Sequence, residues 1–490
     1  MKLLKDILQR AGTIDIIGST DIEIHMLYLD SREVSAQSLY IAVNGNTSDG
    51  HDYIQQAVHE GAVAIICEIM PDQLASGITY IQVKNSRIAT GHIASNFFDH
   101  PSSRIKLIGI TGTNGKTTIA TCLYDLFMRM GYSCGLISTV RNKINQDILP
   151  ATHTTPDAIS LNHLLHQMVE KKCTYCFMEV SSHALDQNRT EGIEFRGAIF
   201  SNITHDHLDY HITFDNYIAA KKKLFDSLNP QAFSLINADD RNAQVMVQNT
   251  KAHVYSYGLS SAADFKARII EDSIHGLHIN MDGQDIYTHF VGRFNAYNLS
   301  AIYAAGVILG NEKQETAIGI SALNPPDGRF QLIRGSKGIT AVVDYAHTPD
   351  ALENVLRTIR NIVKNQQKII VVIGCGGNRD KTKRPIMGKV AVKYADKSLF
   401  TSDNPRNEDP AAIIDNMKKD LLPEDLLKVI TVVDRREAIL NAASLAEEND
   451  VILIAGKGHE KYQVINDKKF DFDDVKEIQN AFALIKEKRK

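Results

Sequence analysis

The sequence predicts an α/β protein of three domains, the last of them a doubly wound parallel sheet. Three observations carry this. The chain has 490 residues, enough for about three domains of ordinary size. Apolar runs rich in Val and Ile alternate with amphipathic segments, most regularly after residue 330, as strands buried on both faces do. One such run leads into a glycine loop, Gly109-Ile110-Thr111-Gly112-Thr113-Asn114-Gly115-Lys116-Thr117-Thr118, directly ahead of a helical pattern.

The formal net charge is −4 and the composition is ordinary for a globular protein. Neither suggests a nucleic-acid or membrane partner. No apolar run approaches spanning length and the N-terminus lacks a signal-peptide core, so a cytoplasmic protein without membrane insertion is expected. The six cysteines lie at 67, 122, 134, 173, 176 and 375. Cys173 and Cys176 have redox spacing, but they enter a strand-like run, Tyr175 to Val180, and no helix N-terminus follows to stabilise a thiolate. They are predicted to be structural.

Residues 1–103 read as a small α/β unit. A strand over 38–43 precedes the polar loop from Asn44 to Gly50, then come a helix over 52–60 and a strand over 62–67. Read alone, the Leu29-Asp30-Ser31-Arg32 segment is a helix cap and the polar loop a hairpin turn.

Residues 104–330 form the central unit. A strand over 105–110, the glycine loop and a helix over 119–130 give the context a nucleotide phosphate loop requires. The strict pattern places glycine at 110; here it stands one position earlier, at Gly109. Backbone N–H groups freed by the glycines, with the helix N-terminus, favour phosphate. Lys116 would reach the β/γ-phosphates and the Thr117 hydroxyl would be a magnesium ligand. After a strand over 135–140, His153-Thr154-Thr155-Pro156-Asp157 starts a helix over 158–171. The two threonine hydroxyls there either hold an anion or cap the helix. The next strand ends in Glu179, a carboxylate at the C-terminal edge of the same sheet and so placed for magnesium.

A histidine cluster follows, Thr204-His205-Asp206-His207-Leu208-Asp209-Tyr210-His211. The spacing of His207 and His211 would suit zinc on a helix. No helix reads there and no third ligand is suggested, so zinc is not expected. A helix over 214–228 carries Lys221-Lys222-Lys223, by itself a solvated face. Gly292 to Asn298 opens an alanine-rich helix, and Pro325-Pro326-Asp327-Gly328-Arg329-Phe330 breaks the chain, which sets the second boundary.

In residues 331–490 strands and helices alternate to the end. The conspicuous residues fall after strands, where open parallel sheets bind ligands: Asp344 to His347, Gly374 to Arg379, Asp403-Asn404-Pro405-Arg406, and Gly456 to Glu460. Gly374-Cys375-Gly376-Gly377 is a weak dinucleotide fingerprint without an acidic residue for the ribose, and that reading is set aside.

The phosphate-loop spelling, Leu29-Asp30-Ser31-Arg32, Asp206-His207-Leu208-Asp209-Tyr210-His211 and Asp403-Asn404-Pro405-Arg406 resemble the Mur ligases of peptidoglycan synthesis. The resemblance runs through all three units. It implies an N-terminal UDP-binding domain, a central ATPase-like domain and a Rossmann-like C-terminal domain for the incoming amino acid. The implied reaction is ATP-dependent addition of meso-diaminopimelate to UDP-N-acetylmuramoyl-L-alanyl-D-glutamate through an acyl phosphate. A lysine-adding or folylpolyglutamate-type ligase, and a phosphate-loop switch protein, are the alternatives.

The same resemblance assigns residues. Gly112, Thr113, Asn114, Gly115, Lys116, Thr117 and Thr118 would hold ATP, with Asn295, Asn298, Arg329, Asp344 and His347. The UDP-muramoyl dipeptide would meet Ser31, Asn46, Thr154, Thr155, Ser181, Gln187 and Arg189. Diaminopimelate would meet Arg379, Asp403, Asn404, Arg406, Gly456 and Glu460; a guanidinium at Arg406 suits its distal carboxylate. Two magnesium ions would be held by Thr117, Glu179, His207 and Lys221, the last as a carbamate, an oxygen donor where an ammonium would repel the ion. Lys116, His207 and Lys221 would act in catalysis, in a monomer.

Overall fold

The computed structural model describes residues 1–490 except 46, 47, 152, 364–366, 467, 489 and 490. Each of the three units has its own sheet. The N-terminal sheet has five strands, in the order Thr13–Ile17, Thr79–Val83, Ala62–Cys67, Ser38–Ile41, Met26–Tyr28. All pairs are parallel except the edge pair of Thr13–Ile17 with Thr79–Val83. The strand over 62–67 coincides with its apolar run. The helix expected over 52–60 begins instead as a 3-10 turn, Gly50–Tyr53, because the Asp49 side chain accepts from the His51 amide and tightens the start.

The central sheet has eleven strands. Its middle is parallel, in the order Cys134–Ile137, Tyr175–Glu179, Lys106–Thr111, Gly197–Phe200, Phe233–Asn237, His253–Gly258. Side chains alternate across it. Phe177 packs under the helices Lys116–Arg129 and Arg293–Ile308, while Cys176 and Met178 pack under Ala158–Glu170 and Phe214–Asp226. Both faces are thus covered, which is why these strands read as continuous apolar runs. Strand Lys106–Thr111 lies between Tyr175–Glu179 and Gly197–Phe200. The phosphate loop therefore leaves the sheet at its centre, with Glu179 on one flank and Ser201 and Asn202 on the other. The hairpin Asn142–Ile144/Asp147–Leu149 and the antiparallel strands from Phe265 to Thr288 extend the two edges.

The C-terminal sheet has the order Gln331–Arg334, Thr340–Asp344, Val451–Ala455, Ile369–Ile373, Lys397–Phe400, Val429–Thr431. It is parallel but for its first strand. Helices Pro349–Ile362, Lys383–Tyr394 and Pro410–Lys418 cover one face, Arg435–Leu445 and Asp474–Lys488 the other. This is the doubly wound arrangement the sequence predicts. No helix among the described residues is long and apolar enough to cross a membrane.

The six cysteines are free and buried. Burial pushes the Cys173 and Cys176 thiols up, away from thiolate reactivity.

One expectation needs correction: a single helical turn, Leu208–His211, does form in the histidine cluster. His207 only caps it, in a left-handed conformation (φ 55°), so the two histidines do not share a helical face. The turn ends on Ile212, at φ 67° and ψ −49°, with 79% of its surface exposed. The Thr213 amide donates to the His211 carbonyl at 2.7 Å, closing a γ-turn around it. A β-branched residue is strained there and gains no burial in return. Ile212→Gly should therefore stabilise the fold by about 1 kcal/mol, relief of strain exceeding glycine's entropy cost. Urea unfolding would read this as a higher midpoint at unchanged slope.

Candidate active site

The phosphate loop is held from behind by the strand beside it. The Thr113 amide donates to the Asn202 carbonyl at 2.8 Å, and the Asn114 amide to the Asn202 side chain at 2.9 Å. Gly112 has φ 150°, and a Cβ there would lie 2.0 Å from Ser201 Oγ; only glycine fits. Lys116 folds back on the loop, its Nζ donating to the carbonyls of Gly112 (2.8 Å) and Thr113 (2.9 Å). Burial pushes its pKa down, with Glu179 and Asp206 opposing. Asn295 and Asn298 lie behind the loop, buried and joined at 3.1 Å.

Glu179 is the hub beside Thr117. Its Oε2 accepts from Thr117 Oγ1 at 2.9 Å and from Thr139 Oγ1 at 3.2 Å, and its Oε1 accepts from the Thr139 amide at 2.9 Å. Arg329 crosses from the linker and donates from Nη2 to Thr117 Oγ1 at 3.0 Å. A hydroxyl and a carboxylate thus meet at the mouth of the phosphate loop. Thr139 Oγ1 also lies 3.0 Å from Thr154 Oγ1, whose hydroxyl can donate to it. The sequence offered no signal for Thr139, a lone threonine beyond a strand.

Lys221 is 1% exposed, and its Nζ donates to the same Gly112 carbonyl at 2.8 Å. It is not part of a solvated face; burial and the charge of Lys116 push its pKa well down, against the pull of Asp206. His207 lies 3.4 Å from Asp206 and edge-on to His183, ring centres 4.8 Å apart. Partial desolvation pushes its imidazole pKa down, against the pull of Asp206, which favours the neutral form a metal ligand needs. His211 turns elsewhere, its Nε2 3.0 Å from Ser182 Oγ.

A third group lies beside these. Arg189 clasps Gln187 Oε1 through Nε (3.0 Å) and Nη2 (2.7 Å), and donates from Nη1 to the Thr155 carbonyl at 2.9 Å. Thr155 Oγ1 donates to the Glu179 carbonyl at 2.9 Å and accepts from the Ser181 amide at 3.1 Å. Ser181 caps the short helix Ser182–Asp186.

The C-terminal unit supplies the facing wall. Arg406, itself left-handed (φ 49°), donates from Nη1 to the Gly377 carbonyl at 2.7 Å. Asn404 Nδ2 donates to Glu460 Oε2 at 2.8 Å. The linker docks main chain to main chain on the same wall: a Cβ at Gly328 would lie 2.1 Å from the His459 nitrogen and 2.2 Å from the Gly458 carbonyl carbon. Arg329 lies over the Tyr345 ring at 4.6 Å, and Tyr345 meets His459 at 4.9 Å between ring centres.

One cleft of about 840 Å³ joins these walls. Thr113 to Thr118, Thr154, Thr155, Glu179, Ser181, Arg189, His207 and Lys221 line it from the central unit. Arg329, His347, Arg379, Asp403, Asn404, Arg406, Gly456 and Glu460 line it from the other side.

Five residues assigned by resemblance lie outside its lining besides Gly112: Ser31, Gln187, Asn295, Asn298 and Asp344. Asp344 is spent on the linker, accepting from the amides of Phe330 (2.7 Å) and Ala346 (2.8 Å). Ser31 donates to Gln56 Oε1 at 3.0 Å within the N-terminal unit. Asn46 lies outside the described residues.

Family models match in three stretches: "Mur ligase family, catalytic domain" over 23–98, "Mur ligase middle domain" over 110–306, and "Mur ligase, glutamate ligase domain" over 328–458. UDP-N-acetylmuramoyl-L-alanyl-D-glutamate–2,6-diaminopimelate ligases from Cytophaga hutchinsonii and Bacteroides thetaiotaomicron are 51% and 50% identical to the chain. Each match covers 98% of this chain, and 99% and 100% of theirs. A solved structure of a ligase of that name superposes with a TM-score of 0.69 at 32% identity, over 98% of this chain and 99% of the other. A MurF ligase from Thermotoga maritima in complex with ADP shares the fold, with a TM-score of 0.65 at 17% identity over 95% and 99% of the two chains. Matched along nearly its whole length in sequence and in fold, the chain belongs to the Mur ligase family.

Proposed function

We propose that the chain is an ATP-dependent ligase that adds meso-diaminopimelate to the D-glutamate γ-carboxylate of UDP-N-acetylmuramoyl-L-alanyl-D-glutamate, in the cytoplasm and as a monomer. The observation that carries this is the single cleft, with a phosphate loop on one wall and the Asn404–Arg406–Glu460 group on the other. The half-identical relatives that bear the name of this reaction support it. Residues 1–103 would hold the UDP end, 104–330 ATP and the glutamyl end, and 331–490 the amine.

Chemistry of this kind must bring a carboxylate and a triphosphate together. A γ-carboxylate oxygen attacks the γ-phosphorus and ADP leaves. The amine then attacks the acyl carbon, phosphate leaves, and the amine nitrogen loses a proton. Lys116 is placed to swing from the Gly112 and Thr113 carbonyls onto the phosphates. Arg189, with Thr155 and Ser181, lies where the glutamyl carboxylate must sit. The Thr117 hydroxyl and Glu179 carboxylate are hard oxygen donors 2.9 Å apart, which suits magnesium completed by substrate phosphates. His207 and Lys221 would hold a second ion. Bound there, magnesium supplies positive charge to the transferring phosphoryl oxygens. Lys221 fits the carbamate role because, among the described residues, its buried amine has no carboxylate in ion-pair contact and its pKa is pushed down despite the pull of Asp206. The unprotonated amine is the form that bonds to carbon dioxide. On the far wall, Arg406 and Asn404 offer donors to a distal carboxylate, and Glu460 accepts from a distal ammonium.

Phosphate release, measured with UDP-muramoyl dipeptide and either meso-diaminopimelate or L-lysine, tests the reading. Release should require both substrates and favour diaminopimelate. A switch protein would hydrolyse ATP regardless of the pair. Arg406→Ala should weaken diaminopimelate use by roughly 2–5 kcal/mol, from loss of a desolvated charge pair, with KM for ATP and UDP-muramoyl dipeptide unchanged. A wild-type preference for lysine would refute the assignment whatever the variant does.

A further inference from the structure

Behind the amine wall, and outside the lining of the cleft, lies a buried cation. Lys457 is fully buried, 0% exposed. Its Nζ lies 3.2 Å from Asn404 Oδ1 and 3.2 Å from Glu460 Oε2, and Asn404 Nδ2 closes the triangle on Glu460 Oε2 at 2.8 Å. The Val464 amide also donates to Asn404 Oδ1, at 2.9 Å. A turn sets the spacing, since the Glu460 amide donates back to the Lys457 carbonyl at 2.9 Å.

This triangle has a chemical consequence. A side-chain amide can present either its oxygen or its nitrogen, and only its partners decide which. Lys457 and the Val464 amide are both donors, so they fix the Asn404 oxygen inward and leave its Nδ2 as the group nearest the cleft. The same ammonium occupies Glu460 Oε2 and leaves Oε1 to accept. Without the cation, the Asn404 amide loses one of the two donors that hold its oxygen inward. The Val464 amide and Glu460 Oε2 still favour the same orientation, so the amide is held less firmly rather than reversed, and its Nδ2 is less fixed toward an incoming carboxylate. Glu460 would also keep its full charge in the wall, repelling that carboxylate.

We propose that Lys457 is a positioning residue for amine specificity. By orienting Asn404 and neutralising half of Glu460, it makes the wall accept an amino acid with a distal carboxylate. This rests on the diaminopimelate reading above.

Steady-state kinetics of Lys457→Met, with meso-diaminopimelate and L-lysine as alternative amines, test it. KM for diaminopimelate should rise at least tenfold while kcat stays within threefold, and KM for ATP and UDP-muramoyl dipeptide should stay within twofold. The diaminopimelate-to-lysine ratio of kcat/KM should fall at least tenfold, because lysine has no distal carboxylate to lose. Equal losses for the two amines, or an unchanged ratio, would overturn the role. If the single variant gives no cooperative thermal transition, Lys457→Met/Glu460→Gln removes both charges of the pair and carries the same comparison, judged against Glu460→Gln alone. A ratio in the double variant equal to that of Glu460→Gln would overturn the role; a lower one supports it. A wild type without preference for diaminopimelate would overturn this and the reading beneath it. A wild type that has the preference, with a Lys457→Met that keeps it, would overturn the positioning role alone.

Discussion

Lys116→Ala should give a folded protein without measurable ligation, with kcat/KM down by at least about 10³-fold, on the order of 4 kcal/mol. The side chain now spends its charge on two loop carbonyls, Gly112 and Thr113. Those acceptors can take water instead, and the loop is independently held by Ser201 and Asn202, so little stability rides on the lysine. In the reaction, by contrast, carboxylate and triphosphate must approach within bonding distance, and a cation fixed at the loop offsets their repulsion. Phosphate release and thermal unfolding measured on one preparation check both halves. Near-normal turnover with native unfolding would sink the phosphate-loop assignment.

Lys221→Ala should be equally inactive but curable. If only the two oxygens of a carbamate are needed, a short carboxylic acid diffusing into the space left by the side chain can supply them. Activity should return in part, saturably with acid concentration. The same acid should do nothing for Lys116→Ala, whose missing group is a cation. The helix Phe214–Asp226 keeps its register through Tyr217, Leu224 and Phe225, all buried on the same side, so the variant should fold. Full activity without added acid would show that Lys221 is not a ligand at all.

How far the sequence foretold this molecule depends on the range over which each feature is determined. Strands Ala62–Cys67 and Val451–Ala455 fall where their apolar runs place them, because covering both faces leaves a signal in every residue. The phosphate loop was equally plain, since strand, glycines and helix are consecutive. The strands from Phe265 to Thr288 escape a search for continuous apolar runs, because one face meets solvent and apolar residues fall only at alternate positions. Local pattern also misplaced Lys221. Three consecutive lysines look solvated, and only the packing of a helix against the loop, 109 residues away in sequence, buries one of them. Thr139 carries no local signal, and Lys457 stands in the conspicuous Gly456 to Glu460 segment without one that marks its role; each matters through contacts with residues far along the chain.

The seam where Gly328 meets Gly458 and His459 has a bearing on drug resistance. Most inhibitor sites lose their ligand when a mutation changes a side chain that the ligand touches. Here the two sides approach through main-chain atoms, and a single added methyl at Gly328 would collide with backbone on the other side. A compound that recognised this seam would read amides and carbonyls, which side-chain changes other than proline leave in place. The mutations that could dislodge it would have to move the Arg329 segment, and with it the Thr117 contact at the phosphate loop. Escape and loss of enzyme would then be the same event.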